Sequence, residues 1–192
     1  MIEDVFRTPV YSTILDIDND RLYKDCLKVK RKYTKGNLVS NRGGYQSPNQ
    51  MQSLKIDSFN SLGQQIAKHT RIFTKHLNLE IDKLKDLWFN INYYKDYNMI
   101  HDHFGNNNKL SGAYYVKAPK DSGRIILYHP SKFVEYSWGT NIPEGHHNEY
   151  TGSIWRHAPQ PGKLIIFPAW LEHSVEHSLS KSPRVSFSFN IV

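Results

Sequence analysis

The chain has almost no cysteine, no long apolar run and fewer acidic than basic residues. Cys26 is the only cysteine, which excludes an internal disulfide and a zinc site built from several thiolates. Any metal is therefore expected to be held by nitrogen and oxygen atoms. No apolar segment approaches the roughly 20 residues that a bilayer span needs, and MIEDVFRTPVYS lacks the basic-then-apolar order of a signal peptide. These absences predict a cytoplasmic protein with no membrane partner.

The shortage of acidic side chains, 18 against 25 lysines and arginines, gives a formal charge of +7. Much of the positive charge lies before residue 86, as in the segment RLYKDCLKVKRKYTKG, so a nucleic-acid surface has to be weighed. Lysines in this segment alternate with apolar residues at helical spacing, which favours a solvated helix face. Nucleic acid is therefore not the expected partner.

The 192 residues, of which 39% are hydrophobic, are enough for one domain with a substantial core, spanning residues 1–192. Helical spacing predicts two helices, over residues 18–34 and from Asp57 to about Leu77, with the glycine-containing loop SNRGGYQSPNQ between them. From residue 86 onward the sequence consists of short β-branched or aromatic runs separated by turn-forming residues. This order predicts a mainly β protein, an antiparallel sandwich or jelly roll (86–192) supported by N-terminal helices (1–85).

Two histidines flank an aspartate in the stretch MIHDHFG. In a strand, His101 and His103 point to the same face and Asp102 to the other. With ten histidines in the chain, such a pair is a weak signal on its own. A mononuclear metal site with open positions needs a third ligand, and His173 is a candidate because a tight turn joins it to the strand GKLIIFP.

The strand RVSFSF carries Arg184 and Ser186 on one face. A guanidinium beside a hydroxyl is a good receptor for a carboxylate, although the exposed face of a two-sided strand would show the same spacing. The irregular segment 129–159 contains Trp138, Trp155 and four histidines, which is typical of a binding loop or lid.

The order of HDH, LSGAYYV, PQPGKLIIFPAWLEHSV and RVSFSFN resembles the Fe(II)- and 2-oxoglutarate-dependent oxygenases. It is similar to an uncharacterised bacterial and phage branch related to prolyl hydroxylases, with an SNxGGxQS stretch that is SNRGGYQS here. The resemblance implies a double-stranded β-helix, a cupin-like jelly roll. It also implies a dioxygenase that uses Fe(II), 2-oxoglutarate and O2, with ascorbate as a candidate reductant, and releases succinate and CO2. Hydroxylation of a peptide side chain, as in prolyl hydroxylases, or of a small molecule is the implied reaction.

The resemblance matches His101 to the first metal ligand and His173 to the distal one. At the third position the superfamily has aspartate, whereas this chain has His103. A three-histidine site follows from strand geometry. Alternatively, Asp102 could turn inward through a β-bulge and supply a carboxylate.

The cosubstrate residues also come from the resemblance. Arg184 and Ser186 match the RxS element that holds the distal carboxylate of 2-oxoglutarate, and Tyr115 matches a tyrosine that donates to the same carboxylate. Tyr94 and Asn92 are expected at the metal-proximal end of the cosubstrate. Contacts to the substrate are expected from the SNRGGYQS loop and the segment 129–159. The candidate residues are Arg42, Tyr45, Gln46 and Trp155.

Three other interpretations are compatible with the sequence. One is a cupin-like enzyme with a three-histidine metal site that does not use 2-oxoglutarate. Another is a non-catalytic basic binding module, whose binding would fall steeply with salt. The third is an inert pseudo-oxygenase. A composition rich in Asn, Lys, Tyr and Ile suggests an AT-rich genome, in a bacterium or a phage-infected cell.

Overall fold

The computed structural model describes residues 1, 3, 5–138, 141–143 and 145–192, with the side chains of Glu135, Tyr136 and Trp138 outside that description. The elements in chain order are β1 (Tyr11–Ile14), α1 (Asn19–Lys32), β2 (Asn41–Arg42), β3 (Tyr45–Gln46), a 3-10 helix (Met51–Ser53), α2 (Asp57–His76), β4 (Leu84–Asn92), β5 (Tyr97–His101), β6 (Leu110–Lys117), β7 (Ile125–Tyr128), α3 (Phe133–Trp138), β8 (Ile154–His157), β9 (Lys163–Pro168), β10 (His173–Val175) and β11 (Arg184–Ile191). No helix in the described part of the chain is both long and apolar enough to cross a bilayer.

The strands form two antiparallel sheets. The major sheet has the order β1-β9-β6-β11-β4-β3, and the minor sheet has the order β2-β5-β10-β7-β8. Non-consecutive neighbours in both sheets show that the chain crosses repeatedly between them. The prediction of a mainly β fold with N-terminal helices is confirmed.

Helices α1 and α2 cover the outer face of the major sheet. α1 begins after Asp18, whose side chain accepts a hydrogen bond from the Arg21 amide, and both predicted helices end within two residues of their expected limits. Phe59 of α2 packs edge-to-face on Phe187 of β11, with ring centroids 5.1 Å apart. This helix-side cluster is the larger apolar core, and a smaller one lies between the two sheets.

Strand β11 separates the core from the space between the sheets. Its residues alternate, so Phe187 and Phe189 enter the helix-side core while Arg184, Ser186 and Ser188 line the inner cavity. The strand pairs with β4 on one side and β6 on the other along almost its whole length. This register fixes which side chains reach the cavity.

Residues 40–47, called the strap below, connect the two sheets at one edge. β2 pairs with β5 of the minor sheet and β3 pairs with β4 of the major sheet. Gly43 and Gly44, with φ of 72° and 67°, make the turn between them. A Cβ at Gly44 would lie 2.7 Å from the carbonyl oxygen of Ile91, so the close approach requires glycine.

Four short strands, β1, β2, β3 and β8, were not predicted from the sequence, and β8 lies inside the segment 129–159 that was expected to be an irregular binding loop or lid. β1 pairs with β9 at the edge of the major sheet, and β2 and β3 lie inside the segment that was expected to be a loop. Strands of two to four residues carry too little periodicity to be recognised, and their pairing partners stabilise them.

Candidate metal centre

Two histidines of the minor sheet and a third just beyond the end of β5 converge on one point. β5 and β10 are neighbours, and their register places His101 directly opposite His173. His103 lies two residues beyond the end of β5, where its backbone N–H donates to the carbonyl of Ala169 at 2.8 Å. One ligand atom from each of the three side chains lies within 4.8 Å of the others, a spacing that could hold a metal ion.

Backbone carbonyls fix the orientation of two of these rings. Nδ1 of His101 lies 2.8 Å from the carbonyl oxygen of Met99, and Nδ1 of His173 lies 2.9 Å from that of Leu171. A carbonyl oxygen only accepts hydrogen bonds, so Nδ1 carries the proton in both rings. Each Nε2 therefore keeps a lone pair, which is the arrangement that metal-binding histidines use.

Burial keeps the three imidazoles neutral. Desolvation lowers the pKa of His101, lowers the pKa of His103 to about 4 and holds the pKa of His173 well below its usual value. The neighbouring rings lower the pKa values of His103 and His173 further, because adjacent positive charges would repel. Neutral imidazole is the form that binds metals.

The carboxylate of Asp102 is directed elsewhere. Its side chain is exposed, and Oδ1 accepts a hydrogen bond from the Phe104 amide at 2.9 Å. Asp102 is outside the three-residue group that could hold a metal. The geometry favours His103 as the third donor, and the choice between the two residues stays a prediction.

Side-by-side alanine variants test that choice. His103→Ala should weaken iron(II) binding by more than about a hundredfold, because one of three converging donors is itself lost. Asp102→Ala should leave the affinity within about twofold, since its carboxylate serves a local turn. Anaerobic calorimetric titration of both variants measures the difference. A loss confined to Asp102→Ala would instead assign the carboxylate to the metal.

The histidines open onto a cavity of about 270 Å³ between the sheets. Inward-facing residues of the major sheet, Asn92, Tyr115, Arg184 and Ser186, form its opposite wall. Arg184 is only 2% exposed, and its Nη1 donates to the carbonyls of Ser122 and Gly123, both at 2.8 Å. A buried positive charge thus lies in the same cavity as the histidines.

This wall has polar atoms without partners among the described residues. They are Nε of Arg184 and Oδ1 of Asn92, which belong to directly paired positions of β11 and β4, and Oδ1 of Asn90. Burial raises the pKa of Tyr115 to about 12, so its phenol stays protonated and able to donate. A bound carboxylate would accept from Arg184 and Tyr115, and a rotated Asn92 amide would offer its nitrogen.

A family model described as "Putative 2OG-Fe(II) oxygenase" matches residues 86–190, more than half of the chain. The chain belongs to this family. The matched span contains all three histidines and Arg184. A comparison with curated proteins finds no match.

Solved structures confirm the predicted fold of this chain. A prolyl-4-hydroxylase from Pseudomonas putida has a TM-score of 0.70 at 12% identity, covering 96% of this chain and 92% of that one. A prolyl hydroxylase from Trichoplax adhaerens, solved with a hypoxia inducible factor peptide, has a TM-score of 0.68 at 12% identity, with 96% and 82% covered. The viral collagen prolyl hydroxylase from Paramecium Bursaria Chlorella virus-1 has a TM-score of 0.58 at 13% identity, with 95% and 94% covered. The predicted double-stranded β-helix is therefore confirmed.

Two tyrosines that were predicted as site residues, Tyr94 and Tyr45, do not line the cavity. Tyr94 is 55% exposed in the turn after β4, with the ammonium of Lys95 over its ring, and it does not line the cavity. Tyr45 and Gln46 are consecutive in β3 and so face opposite sides. Gln46 lines the cavity, whereas Tyr45 packs in the helix-side core and donates to the Tyr33 carbonyl.

Neither of the other predicted substrate residues is part of this cavity wall. Arg42 uses Nη1 to donate to the carbonyls of Val39 and Asn41 within the strap region. Trp155 lies on β8 at the far edge of the minor sheet, where it borders a separate pocket of about 350 Å³. Trp138, named with the same insertion, has its side chain outside the described residues.

Sequence reasoning missed several polar residues of the cavity. Asn90 lines it, and its Nδ2 donates to Ser188 Oγ at 3.2 Å. The alternation of Asn90 and Asn92 in LWFNIN could have predicted this, because both residues share a strand face. Ser40 and Asn98 also line the cavity, and no local pattern links Ser40 to a histidine 61 residues away.

Proposed function

We propose that this protein is an Fe(II)- and 2-oxoglutarate-dependent dioxygenase that hydroxylates a C–H bond of a peptide side chain or small molecule. The observation that carries the proposal is the position of three neutral imidazoles and one buried guanidinium on opposite walls of the same cavity. A metal and a carboxylate ligand would each find suitable partners there. Family membership supports the same assignment.

His101, His103 and His173 would hold the iron. Their donors come from one side of the cavity, which leaves the opposite side open for exchangeable ligands. Bound iron and 2-oxoglutarate supply the oxidising power, because oxidative decarboxylation by O2 gives succinate, CO2 and one oxygen atom for the substrate.

Arg184, Tyr115, Ser186 and Asn92 would hold the distal carboxylate of 2-oxoglutarate. Asn92 was expected at the metal-proximal end of the cosubstrate, but its direct pairing with Arg184 across β4 and β11 supports a position at the distal end. The two carbonyl contacts keep the Arg184 guanidinium in a fixed position before the ligand arrives. A preorganised, buried cation binds a carboxylate more strongly than a mobile surface one, since little side-chain order is lost. Ile125 and Phe167 make part of the wall apolar and exclude water from the reacting atoms.

The substrate would enter beside the strap. Val39, Met99 and Ile100 line the cavity and are also substantially exposed, which makes an apolar rim around its mouth. An exposed apolar rim favours a ligand larger than the cosubstrate. Gln46 and Asn90 offer carboxamides for hydrogen bonds to that ligand.

Anaerobic titration of the apo protein with iron(II) and then 2-oxoglutarate tests the proposal. We expect a visible charge-transfer band that requires both components, followed by succinate release when O2, a substrate and ascorbate are added. Iron binding without the band would favour a cupin-like enzyme that does not use 2-oxoglutarate. The observation that favours this alternative is His103, a histidine at the position where the oxygenase superfamily has an aspartate. Failure to bind either component would favour a non-catalytic binding module.

A further inference from the structure

Ser40 of the strap contacts one of the three converging histidines directly. Its Oγ lies 3.3 Å from Nε2 of His101 and accepts a hydrogen bond from Nδ2 of Asn98 at 3.1 Å. Its carbonyl accepts from the Met99 amide at 3.0 Å, and the residue is 9% exposed. Ser40 is therefore fixed through both its backbone and its side chain.

The direction of the hydrogen bond follows from the His101 tautomer. Nδ1 of His101 carries the proton because it faces the Met99 carbonyl. Nε2 can then only accept, so the Ser40 hydroxyl donates to it. Asn98 Nδ2 occupies a lone pair of the same hydroxyl and leaves its hydrogen directed at His101. Nε2 is also the atom that a metal would take.

We propose, on the basis of the function proposed above, that Ser40 is a positioning residue that changes hydrogen-bond acceptor when the metal binds. In the metal-free protein its hydroxyl holds the His101 ring. Once a metal uses the Nε2 lone pair, the hydroxyl donates to an oxygen atom of the oxoacid held on that metal.

Two physical constraints require the change of acceptor. A buried hydroxyl that loses its acceptor costs free energy, so the hydrogen must find another acceptor nearby. The strap also prevents Ser40 from moving into solvent. β2 and β3 attach the strap to both sheets, and the Asn41 side chain accepts a hydrogen bond from the Val39 amide. An anionic oxygen of the bound oxoacid, next to Nε2 of His101, is the acceptor that replaces this nitrogen.

The test is Ser40→Ala, with iron(II) and 2-oxoglutarate affinities and the charge-transfer band measured anaerobically. We expect iron affinity within about twofold of the unmodified protein and 2-oxoglutarate affinity about tenfold lower, the effect of losing one hydrogen bond to a charged group. The band should move to shorter wavelength, because a donor that stabilises charge on the oxoacid is absent. Ser40→Thr, which keeps the hydroxyl, should restore both affinity and band position.

The matched control is Ser47→Ala. Ser47 lies at the other end of the strap, where its Oγ accepts from the Phe89 amide at 3.0 Å and does not contact His101. This control should lower the melting temperature without changing the band. If Ser40→Ala does not fold, Asn98→Ala gives a second test, with an expected loss of about threefold in 2-oxoglutarate affinity because the hydroxyl is no longer oriented.

Either of two results overturns the role of Ser40: an unchanged band and 2-oxoglutarate affinity in Ser40→Ala, or a loss of iron affinity alone. The second result would limit Ser40 to supporting the His101 ring. Absence of the band in the unmodified protein is a different result, which overturns the proposed function itself.

Discussion

The variant His173→Ala is expected to lose iron(II) binding almost completely. His173 is 5% exposed, lies on a central strand of the minor sheet and contributes one of only three converging nitrogens among the described residues. Changes to residues that merely support a metal ligand typically cost 10- to 100-fold in affinity, so loss of the ligand itself should exceed about a hundredfold. Anaerobic calorimetry with iron(II) measures the loss.

The chain supplies a matched control for this variant. His177 lies four residues further along, where its ring packs against Tyr97 with centroids 4.1 Å apart, and it is not part of the three-histidine group. His177→Ala should therefore bind iron(II) with unchanged affinity. Full iron affinity in a folded His173→Ala protein would mean that another residue supplies the ligand.

A second large effect is expected for Arg184→Met, which should raise the 2-oxoglutarate requirement steeply. Removing one member of a buried, hydrogen-bonded charge pair costs roughly 2 to 5 kcal/mol, and 2 kcal/mol corresponds to about a thirtyfold loss of affinity. Iron affinity should be unchanged, because Arg184 is not in the histidine group. Titration of the charge-transfer band with 2-oxoglutarate separates the two affinities.

Arg124→Met and Arg184→Lys are the comparison variants. Arg124 is a half-exposed arginine paired with Glu176 at 2.8 Å, so its removal should not change 2-oxoglutarate binding. Arg184→Lys keeps the charge without the planar fork and should give an intermediate loss. Arg184→Met also leaves the Ser122 and Gly123 carbonyls without this donor, which should lower the melting temperature. The titrations should therefore be run well below the melting temperature of this variant. An unchanged requirement in folded Arg184→Met would remove Arg184 from the cosubstrate site.

Strand periodicity accounts for what the sequence could predict about the site. The two-residue spacing predicted a shared face for His101 and His103, and their side chains do converge although His103 lies beyond the end of β5; the same spacing groups Arg184 with Ser186 on β11. The regular alternation of β11 extends over eight residues, which makes the assignment of faces secure. Long elements with a clear period were therefore predicted well, including α1 and α2.

The two predicted site tyrosines that do not line the cavity, Tyr45 and Tyr94, lie where periodicity is short. Tyr45 and Gln46 occupy a two-residue strand, so nothing local distinguishes the cavity-facing residue from the core-facing one. Tyr94 lies two residues beyond the end of β4, in a turn where Lys95 has a positive φ, so the alternation of the strand does not extend to it. The contact between Ser40 and His101 depends on pairing between β2 and β5, which only the folded sheet creates.

The central position of β11 has a consequence for how the protein is made. This strand follows every other strand of the described residues in chain order, yet it lies between β6 and β4 in the major sheet. During synthesis on the ribosome, β4 and β6 must therefore leave the exit tunnel with one edge each unpaired until β11 follows. Such open edges invite association between nascent chains. Arg184 and the phenylalanines of the helix-side core arrive on the same strand, so the cosubstrate wall and the core are completed in one late step.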